Sequence, residues 1–113
     1  DVLAAQEAIK QVYVDRSIIE YITRLVAATR RHPSLLLGAS PRASLAFFRL
    51  AQAWSAIHGQ EFVAPDTIKL LARPVLRHRI ILTPQVRLAG TTPDQVVAQV
   101  LEQVPAPVKP YGR

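Results

Sequence analysis

Prolines at positions 33, 41, 65, 74, 84 and 93 cut the chain into short segments, and those cuts limit the fold more than any other property of the sequence. A proline has no backbone N–H and a fixed φ, so it opens a helix easily and interrupts one midway. Within most segments the apolar residues recur every three to four positions, the period of a helix with one buried face. The expectation is a mainly α fold, a small helical bundle held around one core.

The segments can be read in turn. Residues 1–11 form a helix, with Val2, Ala5, Ile9 and Val12 on one side. Asp15 offers an N-cap for a second helix, whose stripe is Ile18, Ile19, Ile22, Leu25, Val26 and Thr29 and which ends before Pro33. Arg30, Arg31 and His32 fall in its last turn, where cations complement the helix dipole. Residues 33–39 read as a loop, with Leu35, Leu36 and Leu37 either partly buried or forming an apolar patch. Residues 41–58 form a third helix, apolar on most of its circumference and expected at the centre of the bundle, closed by Gly59 as a C′ residue. A fourth helix starts at Pro65 and Asp66, poorly capped by Ala64, and Pro74 is expected to break or kink it. Residues 79–82 and 86–88, joined through Thr83, Pro84 and Gln85, read as a short β-hairpin. Thr92 caps a last helix from Pro93 to about Gln103, and the tail, residues 105–113, is extended and proline-rich.

The start of the third helix carries an anomaly. Ser40 suits an N-cap and Pro41 the first helical position, which makes Arg42 a first-turn residue. Aligned peptide dipoles already supply about half a positive charge there, so an arginine costs roughly 0.3–1 kcal/mol unless an anion offsets it. Free N–H groups at such an end also suit phosphate. Either Arg42 reaches a phosphate brought by another domain or partner, or it turns to a carboxylate or stands in solvent. Arg49, seven residues on, shares its face.

Charge distribution bears on that choice. The net charge is +6, and acids are missing from residues 21–60 and from 67–93, two stretches that hold most of the arginines. Arginine far outnumbers lysine, and its planar fork suits bidentate phosphate or carboxylate contacts. Nucleotide, nucleic acid or an acidic protein face are the partners this implies. There is no cysteine, which excludes disulfides and thiolate metal sites and fits a reducing cytoplasmic setting. No apolar run approaches the ~20 residues of a membrane span. The chain starts at Asp1 and holds no methionine, as expected of a piece of a longer protein.

Several chemistries lack their residues. There is no G-x-x-x-x-G-K-[ST] phosphate loop and no G-x-G-x-x-G or H-E-x-x-H element. His32, His58 and His78 have no metal-site spacing, and the eight acids are scattered, so no metal site and no catalysis by this chain alone are expected.

Three stretches together resemble a known family. They are residues 21–30 (YITRLVAATR), residues 37–43 (LGASPRA) and residues 75–79 (VLRHR), with Trp54, Gly59, Val63, Pro65 and Asp66 between the last two. In this order they resemble the C-terminal lid domain of MoxR-type AAA+ ATPases, relatives of the magnesium chelatase ATPase subunit. The resemblance runs in register from about Val12 to Leu82 and weakly on to Val104. It implies that residues 1–14 connect from a P-loop domain, that 15–104 form the lid, and that 105–113 are a tail. It also implies that Arg42 is the sensor-2 arginine reaching the γ-phosphate of ATP, with Ser40, Pro41 and Ala43 beside it in the nucleotide-binding element. The implied whole protein is a cytoplasmic ring-forming ATPase using ATP and Mg²⁺ and remodelling partner proteins, among them von Willebrand factor A domain proteins. The lid alone would hold no nucleotide. The competing class is a winged-helix nucleic-acid-binding domain, with Arg42 and Arg49 on a recognition helix and Arg79 and Arg87 on the wing. The thin polar strip of the third helix argues against it.

Overall fold

A computed structural model describes residues 2–108. In chain order it contains α1 (Val2–Gln11), α2 (Arg16–Thr29), β1 (Leu35–Leu37), α3 (Arg42–Ile57), α4 (Pro65–Leu76), β2 (Ile81–Leu82), α5 (Pro84–Leu88) and α6 (Pro93–Gln103). The expected mainly α bundle with a two-stranded antiparallel ribbon is what forms. Among the described residues no helix is long and apolar enough to cross a membrane.

The helix starts follow local chemistry. Asp15 caps α2 with a carboxylate that accepts from the Ser17 hydroxyl at 2.6 Å, the Tyr13 hydroxyl at 2.8 Å and the Ser17 N–H at 3.0 Å. These donors, the Ser17 hydroxyl foremost and Tyr13 next, hold the Asp15 carboxyl below its ordinary 3.8. A lowered folded-state pKa gives stability that is full above the unfolded value and is lost as pH falls through the folded one. The melting temperature is therefore expected to drop as pH falls below about 3.8, and Asp15→Asn to flatten that limb in a titration of melting temperature against pH.

At α6 the Thr92 hydroxyl accepts from the Gln95 N–H at 3.2 Å while the Gln95 side chain accepts from the Thr92 N–H at 2.9 Å, a reciprocal capping box. Thr92→Ala is expected to cost about 1 kcal/mol, read by denaturant unfolding. Gly59 ends α3 at φ 69°, a left-handed position.

The core is built from the buried faces of α2, α3, α4 and α6. From α2 come Ile18, Tyr21, Ile22, Leu25 and Val26, from α4 Ile68, Leu71, Ala72, Val75 and Leu76, and from α6 Val96, Val97 and Val100. Ile19, expected in the α2 stripe, is 44% exposed. The α3 contribution corrects the expectation of an all-round buried helix. It buries one i, i+4 row, Ala43, Phe47, Ala51 and Ser55, and leaves Leu45, Leu50 and Ile57 exposed. α3 packs against α1, α2 and α4, and Phe48, Trp54 and Ala56 beside that row are half-buried against the core.

Pro74 does not break α4, which continues to Leu76. The carbonyl deprived of its partner belongs to Leu70, an exposed residue on the same outer face as Pro74, where solvent can satisfy it.

The ribbon forms from other partners than the local pattern suggested. Ile81–Leu82 pairs antiparallel with Leu35–Leu37, in register Leu35 with Leu82 and Leu37 with Ile81, with a bulge between Leu35 and Leu37. Residues 86–88 are not a strand. Thr83 instead caps the short helix α5, its hydroxyl accepting from the Val86 N–H, with Pro84 at the first helical position. The stretch read as a loop at 35–37 is thus a strand, with Leu35 packed on the core and Leu36 and Leu37 exposed. Without a hairpin at 79–88 there is no wing, and Arg79 and Arg87 lie on a loop and on α5.

At the chain ends, α1 buries no side chain, and Val12 beyond it joins the core. Residues 104–108 carry no regular structure, although Val104 is buried and Ala106 packs on the core. The rest of the expected tail, 109–113, and Asp1 of the first helix lie outside the described residues.

Candidate functional site

The site is built where the chain returns from β1 to begin α3. Thr29, the last residue of α2, is buried, and its hydroxyl donates to the Val26 carbonyl at 2.6 Å while accepting from the Ala39 N–H at 2.9 Å. Arg30, the C-cap of α2, donates from Nη1 to the Ala39 carbonyl at 3.1 Å. Both polar groups of the Ala39 backbone are therefore held by the end of α2. Gly38 makes this approach possible: a Cβ there would stand 2.6 Å from the Arg30 Cα, the Arg30 N and the Thr29 carbonyl carbon.

This clamp decides how α3 starts. Pro41 already has helical torsions, φ −57° and ψ −25°, and the hydrogen-bonded helix runs from Arg42. Ser40 contributes its carbonyl, which accepts from the Ala43 N–H at 2.9 Å, and no side chain caps α3. The expected hydroxyl cap is thus not made, because the fixed Ala39 backbone presents the Ser40 carbonyl, and not the side chain, to the first turn.

The four residues expected to bind nucleotide separate. Ser40, Arg42 and Ala43 line an open cleft of about 710 Å³, whereas Pro41 lines a neighbouring apolar groove with Ile22, Leu45 and Phe48. Ala43 is 2% exposed, so its side chain belongs to the core and sits only at the floor of the cleft. Arg42 is exposed. Among the described residues it makes no ion pair; the ion pairs formed there join Arg16 and Arg24 to Glu20, and Arg77 to Asp94.

Two further arginines reach the same cleft. Arg30 arrives from the end of α2, and Arg79 from the turn after α4, where its Nη1 donates to the Val75 carbonyl at 2.6 Å. The rest of the lining is Leu36, Leu37, Gly38, Ala39 and Ala46, so among the described residues no acid lines the cleft with the three cations. Local sequence reasoning placed Arg30 with the helix dipole and Arg79 on a hairpin, and missed that they converge. The one available sign was that both belong to stretches that carried the family resemblance.

The other expected roles resolve structurally. His32 is buried, its Nδ1 accepting from the Ser34 N–H at 3.1 Å, so the proton sits on Nε2 and faces the Gln99 Oε1 at 2.9 Å. It ties the end of α2 to α6. Among the described residues no group of three or more His, Asp or Glu side chains could hold a metal ion.

Arg30, Arg42 and Arg79 thus line one cleft beside the start of α3, on a helical bundle with a two-stranded ribbon. A family model described as the AAA lid domain matches residues 27–100, a span that takes in Arg30, Arg42 and Arg79, and the chain belongs to that family. Its relatives make it a MoxR-type AAA+ lid. It is 38% identical over 109 residues to the Bacillus subtilis protein YeaC, covering 96% of this chain and 34% of that protein. It is 32% identical over 116 residues to the chaperone MoxR1 of Mycobacterium tuberculosis, covering 95% and 31%. Protein MoxR of Methylorubrum extorquens is 36% identical over 72 residues, covering 62% and 21%. The crystal structure of a candidate ATPase from Cytophaga hutchinsonii superposes with a TM-score of 0.84 at 31% identity, covering 90% of this chain and 34% of that one. The chain spans about a third of the length of YeaC, MoxR1 and the Cytophaga protein.

Proposed function

We propose that this lid closes over ATP bound to a P-loop domain of the same polypeptide, with Arg42 as the sensor-2 arginine on the γ-phosphate. The observation that carries the reading is an exposed first-turn arginine with no ion pair among the described residues, facing a cleft lined by two further arginines and no acid. A terminal phosphate brought into that cleft would offset the cation at the helix N-terminus and draw the lid towards the nucleotide.

Residues 1–14 serve in this reading as the connection to the P-loop domain. The exposed, unburied α1, with Val2 and Leu3 turned to solvent, supports that role. Mg²⁺ would be held by the P-loop domain and the phosphates, since the cleft offers it no carboxylate. Ser40 and Pro41 act by aiming Arg42, and Ala43 by anchoring the first turn in the core. The whole protein is then a cytoplasmic ATPase ring that remodels partner proteins, with von Willebrand factor A domain proteins as the partner class. The name of the mycobacterial relative, a chaperone, supports the remodelling role. Steady-state ATP hydrolysis by the full-length protein carrying Arg42→Ala tests the reading, and turnover equal to wild type overturns it.

A further inference from the structure

We infer that Arg79 is a second arginine on the terminal phosphate, so that the lid grips a nucleoside triphosphate with two guanidiniums on separate elements. This deepens the assignment of Arg42 and rests on it.

The first argument is the donor capacity that Arg79, like the other arginines outside the ion pairs, leaves uncommitted. Arg16 and Arg24 flank Glu20, and Arg77, two residues before Arg79, meets Asp94 at 3.2 Å. Arg79 has no acid. Among the described residues its side chain makes one hydrogen bond, to the neutral carbonyl of Val75, which uses a single donor of the five a guanidinium carries. The remaining donors belong to a group that lines the Arg42 cleft.

The second argument is preorganisation. The Arg79 N–H donates to the Leu76 carbonyl at 2.9 Å, its side chain reaches back to Val75, and the next residue, Ile80, is buried. Both ends of the side chain are thereby fixed to the end of α4. From Ile81 the chain enters β2, which pairs with β1, and β1 leads directly into Gly38 and the start of α3. The ribbon therefore sets the separation between the segment carrying Arg79 and the segment carrying Arg42.

The third argument is charge. Three guanidiniums around one open cleft repel one another, and an acid-free lining does nothing to relieve it. A γ-phosphate carries the most concentrated negative charge of the nucleotide, with three peripheral oxygens, more than one planar fork can cover. Arg30, whose Nη1 is engaged with Ala39, adds field and holds the loop. ADP lacks the group these side chains converge on.

The test uses the full-length protein with Arg79→Gln, which keeps an amide donor for the Val75 carbonyl and removes the charge. Arg87→Gln, at an exposed position on α5 outside the cleft, controls for lost positive charge in general. Affinities for a non-hydrolysable ATP analogue and for ADP are measured on each. Arg79→Gln is expected to weaken the analogue about tenfold or more and ADP less than about twofold, with Arg87→Gln unchanged for both. Should Arg79→Gln also lower the melting temperature, the ratio of the two affinities decides, because a loosened fold weakens both nucleotides alike. An unchanged ratio overturns the inference. If the ratio is unchanged while Arg42→Ala abolishes hydrolysis, the inference fails alone and the lid assignment stands; if Arg42→Ala also turns over like wild type, both fail.

Discussion

In the full-length protein, Arg42→Ala is expected to lower ATP turnover by about 100-fold or more and to leave the melting temperature unchanged within about 2 °C. The two halves of that expectation come from one geometry. Arg42 is exposed and forms no ion pair among the described residues, so its truncation opens no cavity and orphans no buried group. Its removal even relieves the clash between a cation and the positive end of α3. The catalytic loss has a different origin. Phosphoryl transfer is governed by positioning and by the electrostatic field around the γ-phosphate, and a single well-placed donor commonly contributes a factor of 10²–10³. At an effective dielectric near 20, a guanidinium about 4 Å from a phosphate charge contributes about 4 kcal/mol of interaction, enough for an effect of this size. Arg42→Lys is expected to recover only part of the activity, since an ammonium supplies charge without the fork. Loss of melting temperature in step with activity would mean that Arg42 supports the fold instead.

Gly38→Ala is expected to cost about 3 kcal/mol or more, lowering the melting temperature by about 10 °C. The atoms a Cβ would strike, at 2.6 Å, are backbone atoms of Thr29 and Arg30 at the end of α2, and no side-chain rotation can move them aside. The loop would have to lift away from α2. That movement breaks the Thr29 hydroxyl contact to the Ala39 N–H and the Arg30 contact to the Ala39 carbonyl, the two bonds that aim the first turn of α3. Amide exchange at Ala39 would accelerate before global unfolding, and a variant that melts within about 2 °C of wild type would show that the clamp is not needed.

These two substitutions separate the roles within the L-G-A-S-P-R stretch. Gly38 permits a close backbone approach, Ala39 is the gripped residue, and Ala43 is a core anchor. Arg42 is exposed and forms no ion pair among the described residues. The resemblance marked the stretch as one unit and could not divide it, because the division depends on α2, which the stretch meets only in the folded chain.

The elements that differ from the sequence expectation do so for different physical reasons. Two apolar runs flanking a proline suggest a hairpin at residues 79–88, yet Thr83 followed by Pro84 is the same start that Thr92 and Pro93 give α6. The competing helix signal was present and local. The pairing of Ile81–Leu82 with Leu35–Leu37 was not, because register between distant strands is set by the helices that carry them together. α3 misleads in the opposite way: its apolar count suggests burial all round, but burial depends on which neighbours can approach, and only the row Ala43, Phe47, Ala51 and Ser55 is fully covered, with Phe48, Trp54 and Ala56 half-buried beside it.

By itself the sequence determined the helical class, the caps at Asp15 and Thr92, the stop at Gly59 and a cation in the first turn of α3, since each depends on bonds or dipoles within a few residues. Only the tertiary structure decided that Arg30, Arg42 and Arg79 share one acid-free cleft. Their segments lie far apart along the chain, and what brings them together is the strand pairing of β1 with β2 and the grip of α2 on Ala39, contacts whose free energy exists only once the core has formed.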